Sequence, residues 1–180
     1  MELIDVLDEN GIKTGEVLPR DEVHKRGLWH RAIVVAIVNE NNEILVQQRA
    51  LDKEKNAGMW DISAAGHISS GQDSLMAAAR EISEEVSVSL GYSVEVKDFR
   101  FMFSFRKEQK FSDDFMERQF YDFFILRQNG LNENNIRYQQ SEVNAIKFVT
   151  ITELNEMREA GLLVEREACY NALNDYLFRL

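Results

Sequence analysis

Gly66-His67-Ile68-Ser69-Ser70-Gly71-Gln72, then seven residues, then Arg80-Glu81-Ile82-Ser83-Glu84-Glu85, is the stretch on which the reading of this 180-residue chain turns. Leu75, Ala79, Ile82 and Val86 recur at spacings of four, three and four, which gives one apolar stripe and predicts a helix over 74–86. Asp73 is placed to cap its N-terminus. At about 100° per residue, Glu81, Glu84 and Glu85 share one arc of that helix, away from the apolar stripe. Gly66 and Gly71 let the loop before the helix turn sharply, bringing backbone groups near the same spot.

Three carboxylates on one arc repel one another. A solvated acidic face is the usual fate of such a run. A hard divalent cation would remove the repulsion, and ligands that are all oxygen favour Mg²⁺, with Mn²⁺ admitted by the same set. Such a cation would clamp a diphosphate, withdraw charge from phosphorus and activate a water. The glycines ahead of the helix favour this second reading over the first.

Outward from the helix, residues 3–7 and 14–18 flank a turn signal at Asp8-Glu9-Asn10-Gly11 and predict a hairpin within about 1–20. Residues 19–25 suit a short helix that begins at Pro19. Residues 32–38 are apolar without interruption, as in a strand buried on both faces, and 43–48 run back from it. Strands are expected at 61–65, around Phe101, Phe103 and Phe105, at 115–126 and at 144–148, with the three phenylalanines alternating onto one buried face. Helices are expected at 152–160 and about 164–178, separated by Gly161. Strands and helices mix without a βαβ repeat, so the fold class is α+β, an α/β/α sandwich with a mixed sheet, in a single domain over 1–180.

The net charge of −10 and pI of about 4.9 speak against nucleic-acid or acidic-membrane binding. An acidic protein can still take an anionic substrate when a divalent cation supplies local positive charge. The single cysteine, Cys169, excludes an intrachain disulfide and fits a reducing cytoplasm. No basic-then-apolar leader is evident at Met1-Glu2-Leu3-Ile4-Asp5, and no apolar run is long enough to span a bilayer. A cytoplasmic location is expected, and a homodimer is left open.

Residues 66–88 resemble the Nudix box: glycine, five residues, glutamate, seven residues, then Arg-Glu-aliphatic-x-Glu-Glu-x-Gly-aliphatic. Gly66, Arg80, Glu81, Ile82, Glu84, Glu85 and Val88 match; Gln72 stands where the family has glutamate and Ser87 where it has glycine. The resemblance implies a mixed sheet between helices and Glu81, Glu84 and Glu85 as metal ligands or base, with backbone at Gly66. It also implies that Arg80 orients a carboxylate. The amide of Gln72 is expected to weaken metal loading.

His24-Lys25-Arg26-Gly27-Leu28-Trp29-His30-Arg31, Gln48-Arg49-Ala50 and Gly58-Met59-Trp60-Asp61 are similar to the Nudix branch that contains isopentenyl-diphosphate isomerase. That isomerase carries a catalytic cysteine two residues before a histidine, where this chain has Ala65 ahead of His67. A methyl group cannot move the proton that allylic isomerisation needs. By the same resemblance, histidines near His24, His30 and His67 help hold a metal with strand carboxylates; Glu117 matches one and Gln119 stands in place of the other. Three histidines without short spacing are weak metal ligands on their own. The favoured expectation is that His30 and His67 orient loops through hydrogen bonds while His24 is exposed.

Arg49, Lys53 and Lys55 form the basic patch near these motifs and are candidates for the outer phosphate of a substrate. Trp29, Trp60 and Phe105 are expected in the core, and Cys169 as a buried structural thiol. The reading is therefore Mg²⁺-dependent hydrolysis of a diphosphate linkage, in a nucleoside diphosphate or a derivative, with Glu142 as an outside candidate for the base. The rivals are an isoprenoid-diphosphate isomerase, which Ala65 disfavours, and a nucleotide binder impaired at Gln72.

Overall fold

The computed structural model describes residues 1–53, 55–88 and 96–178, without the side chains of 85–88 and 96. The chain opens with a hairpin of β1 (Leu3–Leu7) and β2 (Lys13–Pro19), passes through α1 (Arg20–Arg26), and enters β3 (Trp29–Val38) and β4 (Ile44–Arg49). Two short strands, β5 (Trp60–Ile62) and β6 (Ala64–His67), precede α2 (Ser74–Glu85) and β7 (Val86–Val88). The long hairpin β8 (Phe99–Ser112) and β9 (Phe115–Arg127) leads to β10 (Ile136–Tyr138), β11 (Val143–Val149), α3 (Ile151–Glu159) and α4 (Glu167–Phe178).

β3 is the hub. Along one edge it runs parallel to β9 from Trp29↔Arg118 to Val38↔Arg127. Along the other it meets β1 at Leu7↔Trp29, β6 from Ala32↔His67 to Val35↔Ala64, and β4 at Val38↔Ile44. Its side chains alternate between two cores, which is why the run is apolar throughout. Ala32, Val34, Ala36 and Val38 pack toward α3 and α4 with Leu154, Met157, Cys169 and Leu173. Ile33, Val35 and Ile37 pack toward α2 with Ala77, Ala78 and Ile82. Helices thus cover both faces of a mixed sheet, as expected.

The strand expected at 61–65 is two strands. β5 pairs with β4 and β6 with β3, and the buried Ser63 between them fills the gap where β3 and β4 diverge. Its hydroxyl donates to Leu45 O at 2.6 Å and accepts from Ile37 N at 2.8 Å.

The alternation of the phenylalanines is also broken. The β8–β9 register shifts between Phe101 and Phe103, so Phe101 pairs with Phe124 and Phe103 with Phe123. One extra residue turns Phe101 out of line with its neighbours, leaving it 54% exposed, while Phe103 and Phe105 pack on the other core.

Helix α2 stops at Glu85 because residues 86–88 pair with β10. The last helix starts at Glu167 instead of 164, because the preceding residues are tied to β5: Trp60 N donates to Leu162 O at 2.9 Å and Val164 N to Trp60 O at 2.8 Å. Trp29 and Trp60 are half-buried, a partial departure from the core expectation. Among the described residues no helix is long and apolar enough to cross a membrane.

Candidate functional site

One cavity of about 550 Å³ gathers most of the sequence candidates, without Gln72 or His30. Gly66, His67, Arg80, Glu81 and Glu84 form one wall, and Arg49, Lys53, Lys55 and Glu142 line it as well. Gln119, Tyr121, Arg166 and Asp61 also border the space.

The acidic wall exists because α2 is fixed at its start. Asp73 caps it as expected, its carboxylate accepting from Met76 N at 2.8 Å. The hydroxyl of Ser74 bonds Asp122 on β9, and Asp122 is held in turn by Arg31 at 2.8 Å. Ala77, Ala78 and Ile82 bury the inner face of the helix, and Glu81 lies on that same face, turned inward and only 7% exposed. Gly71, with φ of +83°, is the turn glycine. Gly66 is not: it lies within β6, and a Cβ there would fall 2.1 Å from the Glu81 carboxyl carbon. Glycine stands at 66 to make room for a carboxylate.

Arg80 lies between the two carboxylates and contacts both. Its Nη2 lies 2.9 Å from Glu81 Oε1 and donates to His67 O at 2.9 Å, and its Nη1 donates to Glu84 Oε2 at 3.1 Å. Glu84 is exposed; the side chain of Glu85 lies outside those described. Gln72 does not border the cavity. Its amide oxygen faces Arg80 Nε at 3.4 Å, so its contact with the glutamates is indirect, by way of Arg80. Burial pushes the Glu81 carboxyl up to about 7, opposed by Arg80 and reinforced by Glu84 and Glu2. A buried carboxylate with a carboxylate neighbour and a space carved at Gly66 suits an oxygen-liganded cation such as Mg²⁺.

On the basic wall the lysines are not isolated surface cations. Lys53 pairs with Glu142, and Lys55 with Glu117 at 2.7 Å while its ammonium lies over the Phe115 ring. Arg49 Nε donates to Lys55 O at 3.2 Å, bracing the loop that carries both lysines.

The three histidines, separated in sequence, meet here. His24 is buried and not exposed, because α1 folds its inner face onto β9; the ring stacks on Phe115. His24 Nε2 is 3.1 Å from His67 Nε2. The amide nitrogen of Gln119 is 3.0 Å from Nε2 of both His30 and His67. Burial lowers the proton affinity of all three, to about 3 for His24, so the rings are neutral at pH 7.

Asp61 and Arg166 were not singled out by their sequence. Arg166 grips Asp61 through Nε and Nη2 at 2.6 and 2.8 Å, both side chains nearly enclosed, and its guanidinium lies over Tyr121. A lone aspartate in the apolar strand Trp60-Asp61-Ile62 was the available signal, since a buried charge demands a partner. Ala65 borders the cavity where a cysteine would be required for isomerisation. Cys169 is fully buried in the opposite core, its thiol pushed up to about 12 by burial.

The family model for the NUDIX domain matches residues 28–168. The chain is 37% identical over 161 residues to the uncharacterized Nudix hydrolase lmo0368 of Listeria monocytogenes, covering 89% of this chain and 87% of that one. It is 39% identical over 155 residues to Nudix hydrolase 3 of Arabidopsis thaliana, covering 84% of this chain but only 20% of that longer protein. It is 30% identical over 154 residues to the isopentenyl-diphosphate Delta-isomerase of Streptomyces coelicolor, covering 86% of this chain and 74% of the isomerase. Among solved structures, that of DR0079 from Deinococcus radiodurans superposes with a TM-score of 0.71 at 19% identity, covering 97% of this chain and 98% of that one. That likeness extends the match to the fold.

Proposed function

The chain belongs to the Nudix family, and from that premise we propose that it hydrolyses a diphosphate linkage in a Mg²⁺-dependent reaction, with a nucleoside diphosphate or a derivative as substrate. The observation that carries this reading is Glu81: a carboxylate buried against Gly66, facing the same cavity as Arg49, Lys53 and Lys55. Glu81, Glu84 and Glu85, with backbone at Gly66, would hold the cation, Mn²⁺ serving in its place. When bound, the cation supplies charge withdrawal at phosphorus and an acidified water.

The chain's own residues do the rest. Arg80 keeps the Glu81 and Glu84 carboxylates aimed while leaving oxygen lone pairs open. Arg49, Lys53 and Lys55 neutralise the outer phosphate, the lysines exchanging Glu142 and Glu117 for it. Glu142, released from Lys53, is one acceptor for the proton of the attacking water. The water oxygen bonds to phosphorus, the bridging P–O bond breaks, and two phosphate-bearing products leave. Ala65 and the inaccessible Cys169 leave the isomerase reaction without a thiol. We place the protein in the cytoplasm, acting on small molecules.

Incubation of the protein with a panel of diphosphate compounds in Mg²⁺ or Mn²⁺ tests the proposal. Release of inorganic phosphate or a nucleoside monophosphate supports it. Tight binding without turnover across the panel supports the impaired-binder reading, and interconversion of isopentenyl and dimethylallyl diphosphate at enzymatic rates supports the isomerase.

A further inference from the structure

His24, His30 and His67 are all the histidines this chain has. They come from α1, β3 and β6, and their ligand nitrogens lie within 4.8 Å of one another. Three imidazoles so gathered are the donor set of many zinc sites. A metal needs lone pairs, however, and the hydrogen bonds around the cluster account for where each one points.

His30 Nδ1 is 2.9 Å from Leu28 O, and a carbonyl can only accept, so the His30 proton is on Nδ1. Neutral His30 therefore presents a lone pair at Nε2, and the atom facing it at 3.0 Å must be a donor. That assigns the Gln119 amide nitrogen to this position and its oxygen to the Tyr121 hydroxyl, which donates to it. The second hydrogen of the same amide points at His67 Nε2, 3.0 Å away, which must also be a lone pair. His24 Nε2 lies 3.1 Å from the same atom. One backbone carbonyl thus sets two tautomers: Nδ1–H on His30 and on His67.

We infer that Gln119 makes this cluster a metal-free hydrogen-bonded staple, its amide hydrogens covering both imidazole lone pairs that a cation would need, and that Gln119→Glu alone would convert it to a transition-metal site. An amide nitrogen has no lone pair to offer a metal. A cation entering between His30 and His67 would break both amide bonds and the His24–His67 contact. The nearby carboxylate of Glu117 is engaged by Lys55. Glutamate at 119 reverses these terms at once, adding a negative charge and donor oxygens where hydrogens now point. The staple meanwhile ties α1, β3 and β6 to β9 beside the cavity. This inference stands apart from the diphosphate reading, and its readout needs no turnover.

Nitrogen-15 NMR of the imidazoles in the full chain tests it, because every histidine signal belongs to the cluster. Wild type is expected to show Nδ1–H rings at His30 and His67, with all three histidines unshifted by one equivalent of Zn²⁺ even if zinc enters the glutamates. In Gln119→Glu, Zn²⁺ is expected to shift the histidine signals, with affinity at the cluster raised by about a hundredfold, the upper scale on which residues around such sites move metal binding. Histidine shifts on adding Zn²⁺ to wild type, or a different tautomer set, would overturn the inference. So would a folded Gln119→Glu whose histidines ignore Zn²⁺. If that variant does not fold, the wild-type tautomers and zinc response still decide.

Discussion

Glu81 and Glu84 share a guanidinium, that of Arg80, while beside them His30 and His67 share an amide, that of Gln119. Both are groups of residue types that can ligate a metal, held by one donor residue. The guanidinium spends one hydrogen bond on each carboxylate, and a carboxylate has room for several, so charge and lone pairs remain. The amide spends one hydrogen on each imidazole, and a neutral imidazole has a single lone pair, so nothing remains. Ligand identity is therefore a poorer guide to a metal site than the count of lone pairs left after the protein's own donors are served.

The sharpest break of the comparison is on the carboxylate side. Glu84→Gln and Glu85→Gln should each lower turnover by about a hundredfold or more, the scale of losing a catalytic electrostatic contact. The metal-free melting temperature of Glu84→Gln should change little, since that side chain is exposed. Wild-type rates in both variants would remove the glutamates from the site.

Gly66→Ala is the steric version of the same break. Its methyl would collide with the Glu81 carboxylate at 2.1 Å, and that carboxylate is the end of a rotatable side chain. The fold should survive at a cost within about 1–3 kcal/mol, while turnover falls by about tenfold or more as Glu81 is displaced. Steady-state kinetics beside thermal melting separates the two effects; undiminished turnover would mean that Glu81 need not lie on residue 66.

Glu81 also makes the carboxylate side sensitive to pH in a chelator. Its folded pKa of about 7 exceeds the ordinary 4.5, so the folded protein holds a proton that the unfolded chain has already lost. The resulting stabilisation is full below 4.5 and disappears as pH rises through about 7. Glu81→Gln lacks that loss, so its stability advantage over wild type should grow across this window by on the order of 3 kcal/mol. Urea unfolding at both ends of the window measures it, and a constant difference would contradict the burial assigned to Glu81.

A smaller effect is expected at Gln72, which touches Arg80 and not the cavity. Gln72→Glu should lower the Mg²⁺ concentration for half-maximal activity by roughly twofold to tenfold, through added negative charge beside Arg80. Superimposable magnesium titrations would show that position 72 does not feel the metal. Least of all should change in Cys169→Ala: its thiol sits in the core facing α3 and α4, so hydrolysis rates should match wild type while thermal stability falls modestly. Loss of turnover without loss of fold would bring that thiol back into the chemistry.

What was legible in the sequence is what depends on neighbours along the chain. The stripe of Leu75, Ala79 and Ile82 announces α2, Asp73 its cap, and the uninterrupted apolar run its place at the centre of a sheet, because helical and strand periods relate residues a few positions apart. The same local period put Glu81 and Glu84 on one arc, and both reach the cavity. The bulge beyond Phe101 and the splitting of 60–67 into two strands escaped, because register depends on which strand lies alongside. So did the reason for Gly66, which is a carboxylate fifteen residues later, and the pairing of Asp61 with Arg166 across 105 positions. Most of all, the histidines could be read as candidates but not as a cluster. Only the tertiary fold brings α1, β3, β6 and β9 to one point, and only there does the amide of Gln119 decide how many lone pairs are left for a metal.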